Sequence, residues 1–197
     1  MNKFELLDEI LNRNSGYFRS AEATHAGVSR AYLSEYVRIR GLERVAHGLY
    51  VSKDAWQDGM YVIQVRYPLA VFSHETALFL LNLAEREPAR YSVTLKAGAN
   101  TAGLTRQGVK VYKVKEELFG EGIEEARSPA GHLLRVYNPE RTICDLVRNR
   151  SNVEIQELQS AIKGYVRRKE KNLPLLMRYA KAFAVEKIIR GYMEVLL

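Results

Sequence analysis

The chain has 197 residues, of which 47% are apolar and 27% are charged, and these proportions exclude a disordered, fibrous or membrane-embedded protein. Its formal charge of +7 at pH 7 favours a negatively charged partner, such as nucleic acid or an acidic surface. The single cysteine, Cys144, excludes an internal disulfide and a metal site built from cysteines, and it is typical of a reducing cytosol.

The N-terminal sequence predicts a protein that is not exported. Glu5, Asp8 and Glu9 lie where a secretion signal needs an apolar core. No apolar run approaches the ~18 residues that cross a bilayer. The sequence therefore predicts a cytoplasmic protein that makes no membrane contact.

The first 53 residues predict three helices followed by a hairpin. Apolar residues at helical spacing place the helices at 3–14, 21–26 and 30–40, and two β-rich runs place the hairpin at 42–51. Ser20 and Ser29 are predicted to cap the second and third helices, and Gly27 and Gly41 to end them.

This order is typical of a winged helix-turn-helix. Ala23 and Gly27 are four residues apart, as required where the two short helices cross closely at a tight turn. Val28, Leu33 and Tyr36 or Val37 are expected to hold the third helix against the core. The hairpin that follows then forms the wing. The alternative interpretation is a winged-helix domain that contacts another protein.

The third helix is the predicted recognition helix. Ser29, Arg30 and Ser34 are expected to reach base edges, with Arg30 the best candidate for a guanine, while Tyr32, Arg38 and Arg40 are expected to meet phosphates. Arg44, His47 and Lys53, in and beside the wing, are expected to touch the DNA backbone or minor groove. The predicted DNA-binding set is therefore Arg19, Ser29, Arg30, Tyr32, Ser34, Arg38, Arg40, Arg44, His47 and Lys53.

Residues 55–59 form a predicted linker, so we expect an N-terminal domain at 1–55 and a larger domain at 60–197. Residues 60–67 fit a strand or a helix, and we favour the helix. The remaining predicted elements are a helix at 74–83 capped by Ser73, strands at 91–96, 109–115 and 132–137, a helix that begins at Asn138-Pro139, and helices at 153–169 and 174–196. The predicted fold class is α+β, with a winged helix-turn-helix followed by a mixed α/β domain that ends in helices.

Ser73, His74 and Asp145 are the residues that most resemble a hydrolytic site. A serine nucleophile needs an oriented base and usually a glycine-rich elbow, and the sequence contains no Gly-x-Ser-x-Gly. Ser73 is better explained as a helix cap. The four histidines lack metal-ligand spacing, and there is no phosphate-binding glycine loop. We therefore expect no enzymatic activity, no cofactor and no metal.

The charged residues at the start of the helix that begins at Asn138 are expected to stabilise the fold. We expect Glu140 and Arg141 to form an ion pair that ties the helix to the sheet, with Asp145 in the same network. Cys144 is expected to be a small buried apolar residue.

The positive charge is concentrated near the C-terminal end. Residues 146–190 contain eleven basic and four acidic side chains. One interpretation of this stretch is a solvated helix end, and the other is a second anion-facing surface. The residues of that predicted surface are Lys163, Arg167, Arg168, Lys169 and Lys171.

Three segments resemble a known family. They are the wing at 42–51, the Ser-His-Glu-Thr-Ala-Leu segment at 73–78 and the Asn-Pro-Glu-Arg-Thr-Ile-Cys-Asp-Leu segment at 138–146. In this order and spacing the chain resembles the AbiEi-type antitoxins of bacterial abortive-infection, type IV toxin–antitoxin systems, also described as transcriptional regulators of viral defence.

The resemblance implies two functions. The N-terminal domain would bind inverted repeats in its own promoter and repress it, and the C-terminal domain would neutralise a nucleotidyltransferase-like toxin. A type IV system further implies that the two proteins need not form a stable complex. The alternative is a one-component transcription factor whose C-terminal domain senses a ligand or mediates an interaction.

Overall fold

The computed structural model describes residues 2–197 and shows a mixed α+β protein with two compact units. The first unit comprises the chain up to Pro68 together with Arg127–Leu133, and the second comprises Leu69–Ala126 and Leu134–Leu197. The first unit continues to Pro68, whereas the sequence predicted the domain boundary at residues 55–59. The reason is that the helix following the linker packs on the first unit through Tyr61, Val62 and Val65.

The first unit contains the three predicted helices and the hairpin. Its elements are α1 (Lys3–Arg13), β1 (Tyr17–Arg19), α2 (Ser20–His25), α3 (Arg30–Arg40), β2 (Glu43–Ala46), β3 (Leu49–Val51) and α4 (Gly59–Arg66). The strands form an antiparallel sheet in the order β1-β3-β2. The preference for a helix at 60–67 is confirmed, whereas β1 was missed because three residues are too few to show an alternating pattern.

A single apolar core holds the three N-terminal helices together. Leu7 of α1, Phe18 of β1 and Ala23 of α2 are fully buried, and they pack in one cluster with Leu33 and Tyr36 of α3. Because the side chain of Ala23 is only a methyl group, α2 and α3 can pack closely against each other. This packing fixes one face of α3 and leaves its opposite face to solvent.

The second unit is a sheet with helices. Its elements are β4 (Val71–Phe72), α5 (His74–Leu80), β5 (Ser92–Lys96), α6 (Ala102–Arg106), β6 (Lys110–Val114), α7 (Glu116–Phe119), β7 (Ile123–Arg127), β8 (Leu133–Tyr137), α8 (Pro139–Arg148), α9 (Ile155–Arg167), α10 (Leu173–Ala182) and α11 (Glu186–Leu196). The strand order is β6-β5-β4-β8-β7, with β4 parallel to β8 and antiparallel to β5. The three predicted strands are confirmed as β5, β6 and β8.

The prediction of one helix over 174–196 is wrong. The chain forms α10 and α11, and between them Ala184 has a φ of 57°, in the left-handed region that ends a helix. The apolar spacing continues across the break because Tyr179, Phe183 and Ile189 all enter the same core.

The predicted Glu140–Arg141 ion pair is also wrong. Adjacent residues on a helix point in different directions. Arg141 donates from Nε to Asp145 at 3.0 Å, while Glu140 accepts from the Tyr165 hydroxyl at 3.0 Å and from the backbone N–H of Asn172 at 2.9 Å. The predicted cap Asn138 and the buried Cys144 are confirmed.

Within residues 2–197, no helix combines the length and the apolarity needed to span a bilayer.

Candidate nucleic-acid interface

A glycine and a helix cap form the turn between α2 and α3. Gly27 has a φ of 71°, which favours glycine, and the N–H of Val28 donates to the Ala23 carbonyl at 2.9 Å. Ser29 then begins α3, and its hydroxyl accepts from the N–H of Tyr32 at 3.4 Å. Ser29 is therefore the cap that was predicted, which draws its hydroxyl toward the helix backbone.

The exposed face of α3 carries the predicted base-contacting residues. Arg30, Ser34 and Arg38 are all exposed. The Ser34 hydroxyl donates to the Arg30 carbonyl at 3.0 Å, so it retains only acceptor capacity for a partner. Glu35 is exposed on this side of the helix as well. Glu35 was not among the predicted contacts, because an acidic side chain is repelled by the phosphates of DNA and was not expected on this face.

Tyr32 lies at the junction between α3 and the start of α1. Its hydroxyl donates to Asn2 Oδ1 at 3.3 Å and its ring meets the ring of Phe4 edge-on at 5.2 Å. The ammonium of Lys3 lies 5.6 Å from the ring centroid. Lys3 thus adds a positive charge beside a predicted phosphate contact, and the sequence pattern did not single it out.

Arg40 has a partner within the protein. Its Nε donates to Asp8 Oδ1 at 2.9 Å, and a second guanidinium nitrogen pairs with Asp8 Oδ2. Tyr36 also donates to Asp8, at 2.8 Å, and burial together with this carboxylate raises the pKa of the Tyr36 hydroxyl. The guanidinium predicted to meet phosphate is therefore already engaged by α1.

The wing is a tight hairpin docked on the start of α2. Ala46 and Leu49 pair across a two-residue turn formed by His47 and Gly48. The N–H of Ser20 donates to the Gly48 carbonyl at 2.8 Å, and a Cβ on Gly48 would lie 2.5 Å from the Ser20 hydroxyl oxygen. Glycine is favoured here, because its φ is 67° and because a Cβ would force the Ser20 hydroxyl to move.

The basic residues of the wing lie close to one another. Arg44 donates to the Ala46 carbonyl at 3.3 Å, and one of its guanidinium nitrogens lies 3.0 Å from His47 Nδ1. Arg19 pairs with Leu49 across the β1–β3 ladder, so its exposed side chain belongs to the same sheet. Lys53 is exposed two residues after β3. The structure therefore brings Arg44 and His47 together in the wing and places Arg19 on the opposite edge strand of the same sheet.

The residues of the predicted second anion surface divide into two groups. Lys163, Arg167 and Lys169 are exposed. Arg168 donates to the Leu81 carbonyl at 2.8 Å and Lys171 donates to the Arg168 carbonyl at 3.2 Å, so both hold the chain after α9 in place. The charged groups of Lys163, Arg167 and Lys169 therefore face solvent.

The Ser73–His74 segment forms a buried polar cluster. Ser73 does not cap α5 through its side chain, contrary to the prediction; its hydroxyl accepts from Thr94 at 2.9 Å and lies 3.1 Å from His74 Nδ1. The His74 ring stacks on Tyr112 with centroids 3.4 Å apart, and Asn149 donates to its Nε2 at 3.0 Å.

The polar side chains of this cluster are buried in the second unit and bind one another. His74 is 1% exposed, and burial lowers its pKa to about 3, so the imidazole is neutral at physiological pH. Asp145, the acidic residue of the hydrolytic site considered above, binds Arg141 rather than His74. Among the described residues, no group of three or more histidine, cysteine or acidic side chains is arranged to hold a metal ion.

Comparisons with known proteins agree with the N-terminal geometry. Residues 5–53 match the family model described as a transcriptional regulator, AbiEi antitoxin. The chain has the fold of the RV2827C protein from Mycobacterium tuberculosis, whose crystal structure superposes with a TM-score of 0.59 at 14% identity, over 92% of this chain and 72% of that one. No curated protein matches the sequence.

The family match covers α1 to β3 and the first residues after the wing, the part of the chain that holds the exposed face of α3. The predicted resemblance is confirmed there, because residues 5–53 match the model of the AbiEi antitoxin and transcriptional-regulator family.

Proposed function

We propose that this chain is an autoregulating repressor and antitoxin that binds DNA through a winged helix-turn-helix formed by α1–α3 and the β2–β3 wing. The observation that carries the proposal is the exposed face of α3, which follows the Gly27 turn and is flanked by a basic wing, within the segment that matches the AbiEi family. In this fold the second helix of the pair enters the major groove.

On DNA, α3 would read bases and the wing would fix the register. Arg30, at the first position of α3, is suited to the two acceptors of a guanine, and Ser34 would accept from an amino group. Arg38 would meet a phosphate. Arg19, Arg44, His47 and Lys53 would contact the sugar-phosphate backbone or the minor groove.

The larger unit would supply the second activity. We assign it the neutralisation of a nucleotidyltransferase-like toxin in an abortive-infection system against phage, without requiring a stable complex and without a catalytic reaction, cofactor or metal. The DNA target would be inverted repeats in the promoter of its own operon, which places the protein in the cytoplasm. Only the family match supports this division. Its description names an antitoxin and its residues end at 53, so the proposal assigns the antitoxin activity to the residues that follow.

Co-expression with the toxin of the same operon tests the division of labour. The test uses the full chain, because a fragment beginning at residue 60 would cut through α4 and separate it from its unit. The variant Arg30→Ala/Arg38→Ala should lose operator binding and still relieve toxicity in a growth assay. The exposed α1 variant Arg13→Ala is the matched control and should keep both activities. Loss of toxicity relief in the double variant, with the fold intact, would refute the division.

A one-component regulator with a ligand-sensing domain is the second candidate function. The observation that favours it is an apolar cavity between α9 and α11. A toxin gene directly downstream, whose product the full chain neutralises, would count against it.

A further inference from the structure

Helices α9 and α11 enclose a cavity of about 460 Å³ on the surface of the second unit. Its lining is mostly apolar, from Ile162 of α9 and Ile188, Tyr192, Val195 and Leu196 of α11, and Gln159 of α9 adds a polar amide. Ile162 is 1% exposed, whereas Val195 is 82% exposed at the rim. The volume falls within the ~300–1,000 Å³ that small-molecule sites occupy.

The cavity exists because α11 carries a glycine where it faces α9. Gly191 lines the cavity, and a Cβ built on it would meet nothing within 4 Å. Leu158 of α9 and Ile189 and Met193 of α11 are buried in the same apolar core. The helices therefore pack through their inner faces and leave an apolar slot along their outer faces.

Two cations lie at one end of this slot. A smaller cavity of about 240 Å³ shares Lys163 and Leu196 with the first and adds Val166 and Arg167. Lys163 and Arg167 are four residues apart on α9, so they lie on one face of the helix. Neither cavity, as lined by the described residues, includes a carboxylate. An apolar slot thus leads to a mouth that carries positive charge alone.

We propose that this slot binds a small amphiphile with one anionic head, of the class of medium-chain aliphatic carboxylates. The tail would lie on Ile162, Ile188 and Val195, and the carboxylate would pair with Lys163 and Arg167. Charge complementarity selects the head group, and the apolar lining selects the tail. This inference goes beyond the repressor-antitoxin function and does not depend on it.

Titration of the full chain with decanoate, below its micelle concentration, tests the proposal by calorimetry. Saturable binding with one molecule per chain is expected. Decyltrimethylammonium, which has the same tail and a positive head, should bind at least ~10-fold more weakly, because opposite charge at a partly desolvated site favours only the anion. Equal affinity for the two amphiphiles would overturn the proposal.

Two variants separate the slot from the mouth. Gly191→Leu should fill the slot and abolish binding, and its fold should survive because leucine favours a helix more than glycine does and the site is open. Lys163→Gln/Arg167→Gln should weaken decanoate binding at least ~10-fold while leaving the slot intact. The control Lys113→Gln/Lys181→Gln removes two exposed cations outside both cavities and should change nothing.

Decanoate binding that persists unchanged in Gly191→Leu or in the Lys163/Arg167 variant would contradict the assignment, and thermal melting of each variant shows whether it is folded. Sedimentation of the same proteins tests another occupant. If the wild type is a dimer that Gly191→Leu converts to a monomer, a second copy of the chain covers the slot and the amphiphile proposal is overturned.

Discussion

Asp8 of the first helix holds the guanidinium of Arg40 at the end of the third. The carboxylate accepts from Nε at 2.9 Å and from a second guanidinium nitrogen, and it also accepts the Tyr36 hydroxyl at 2.8 Å. Both ends of α3 are thereby fixed, one by the Ser29 cap and the other by α1. These contacts within the chain position α3, the helix proposed to read DNA.

This relationship separates two arginines that the sequence pattern treats alike. Arg38 is exposed, whereas Arg40 is paired, so Arg38→Ala should weaken DNA binding more than Arg40→Ala does. Arg40→Ala should instead lower the melting temperature, and Asp8→Asn should lower it in the same way. Fluorescence anisotropy and thermal melting measure the two effects. A larger loss of DNA affinity for Arg40→Ala than for Arg38→Ala would contradict the assignment.

Arg30 and Glu35 should determine sequence preference. Arg30→Ala is expected to weaken operator binding by ~1–3 kcal/mol and to relax the preference for one guanine, because a bidentate base contact is lost. Glu35→Gln should raise affinity for all sequences, since a carboxylate facing DNA repels phosphate, and it should relax the preference for one base that offers an amino group. Affinities for a set of single-base operator variants at one salt concentration measure both changes. A uniform loss across all sequences for Arg30→Ala would show that it contacts phosphate.

His74 should make the second unit less stable in acid. Burial lowers its folded pKa to about 3, from an ordinary value of 6.5. The unfolded chain therefore binds a proton that the folded chain excludes. The neutral ring leaves stability intact above pH 6.5, and stability falls as the pH drops toward 3, by about 1 kcal/mol per pH unit.

The variant His74→Asn tests this origin of the pH dependence. Asparagine tolerates the left-handed backbone, φ 51°, that residue 74 adopts. The variant should be less stable at pH 7, because the stacking on Tyr112 is lost, and its unfolding free energy should fall less steeply between pH 6 and pH 4. Urea unfolding across that range measures the slope. An unchanged slope would assign the acid sensitivity to other groups.

Asp58 and His132 form the buried pair of the first unit. His132 Nδ1 lies 2.7 Å from Asp58 Oδ2 and Nε2 lies 3.2 Å from the Asn14 carbonyl, so both nitrogens face acceptors. Burial raises the pKa of Asp58, but hydrogen bonds from His132, Ser128 and the N–H of Tyr61 outweigh burial and lower it below 3.8. The carboxylate therefore stabilises the fold above pH 3.8, and this contribution is lost as the pH falls through its lowered pKa.

His132→Ala should destabilise the first unit by about 1–3 kcal/mol, because it leaves the buried Asp58 carboxylate without one of its hydrogen-bond partners. The double variant Asp58→Asn/His132→Ala should recover part of this loss, since the unpaired charge is removed. Urea unfolding at pH 7 measures both. Additive losses in the double variant would show that the two residues do not act as a pair.

The N-terminal elements were predictable because their signals are local. Ser29, Gly27 and Gly41 mark the ends of helices through backbone chemistry that involves neighbours only, and the structure places them as predicted. The apolar spacing of α1 is similarly local. The partner of Arg40 was not predictable, because Asp8 lies thirty-two residues away in sequence and nothing in the local pattern connects them.

The larger unit was less predictable because its elements depend on distant contacts. Strand β4 is two residues long, and its pairing with β5 and β8 defines it. The break between α10 and α11 requires a left-handed Ala184, which the amino-acid type does not indicate. Arg141 was expected to pair with Glu140. Its guanidinium is instead fully buried, with the rings of Tyr137 and Phe183 packed against it.

Sequence-specific DNA binding by the full chain is the central claim, and competition binding measures it most directly. A labelled duplex from the promoter of its own operon and a shuffled duplex of equal length are compared at the same salt concentration. The account predicts at least ~10²-fold tighter binding to the promoter duplex, with the preference reduced in Arg30→Ala. Equal affinity of the wild type for the two duplexes would contradict it.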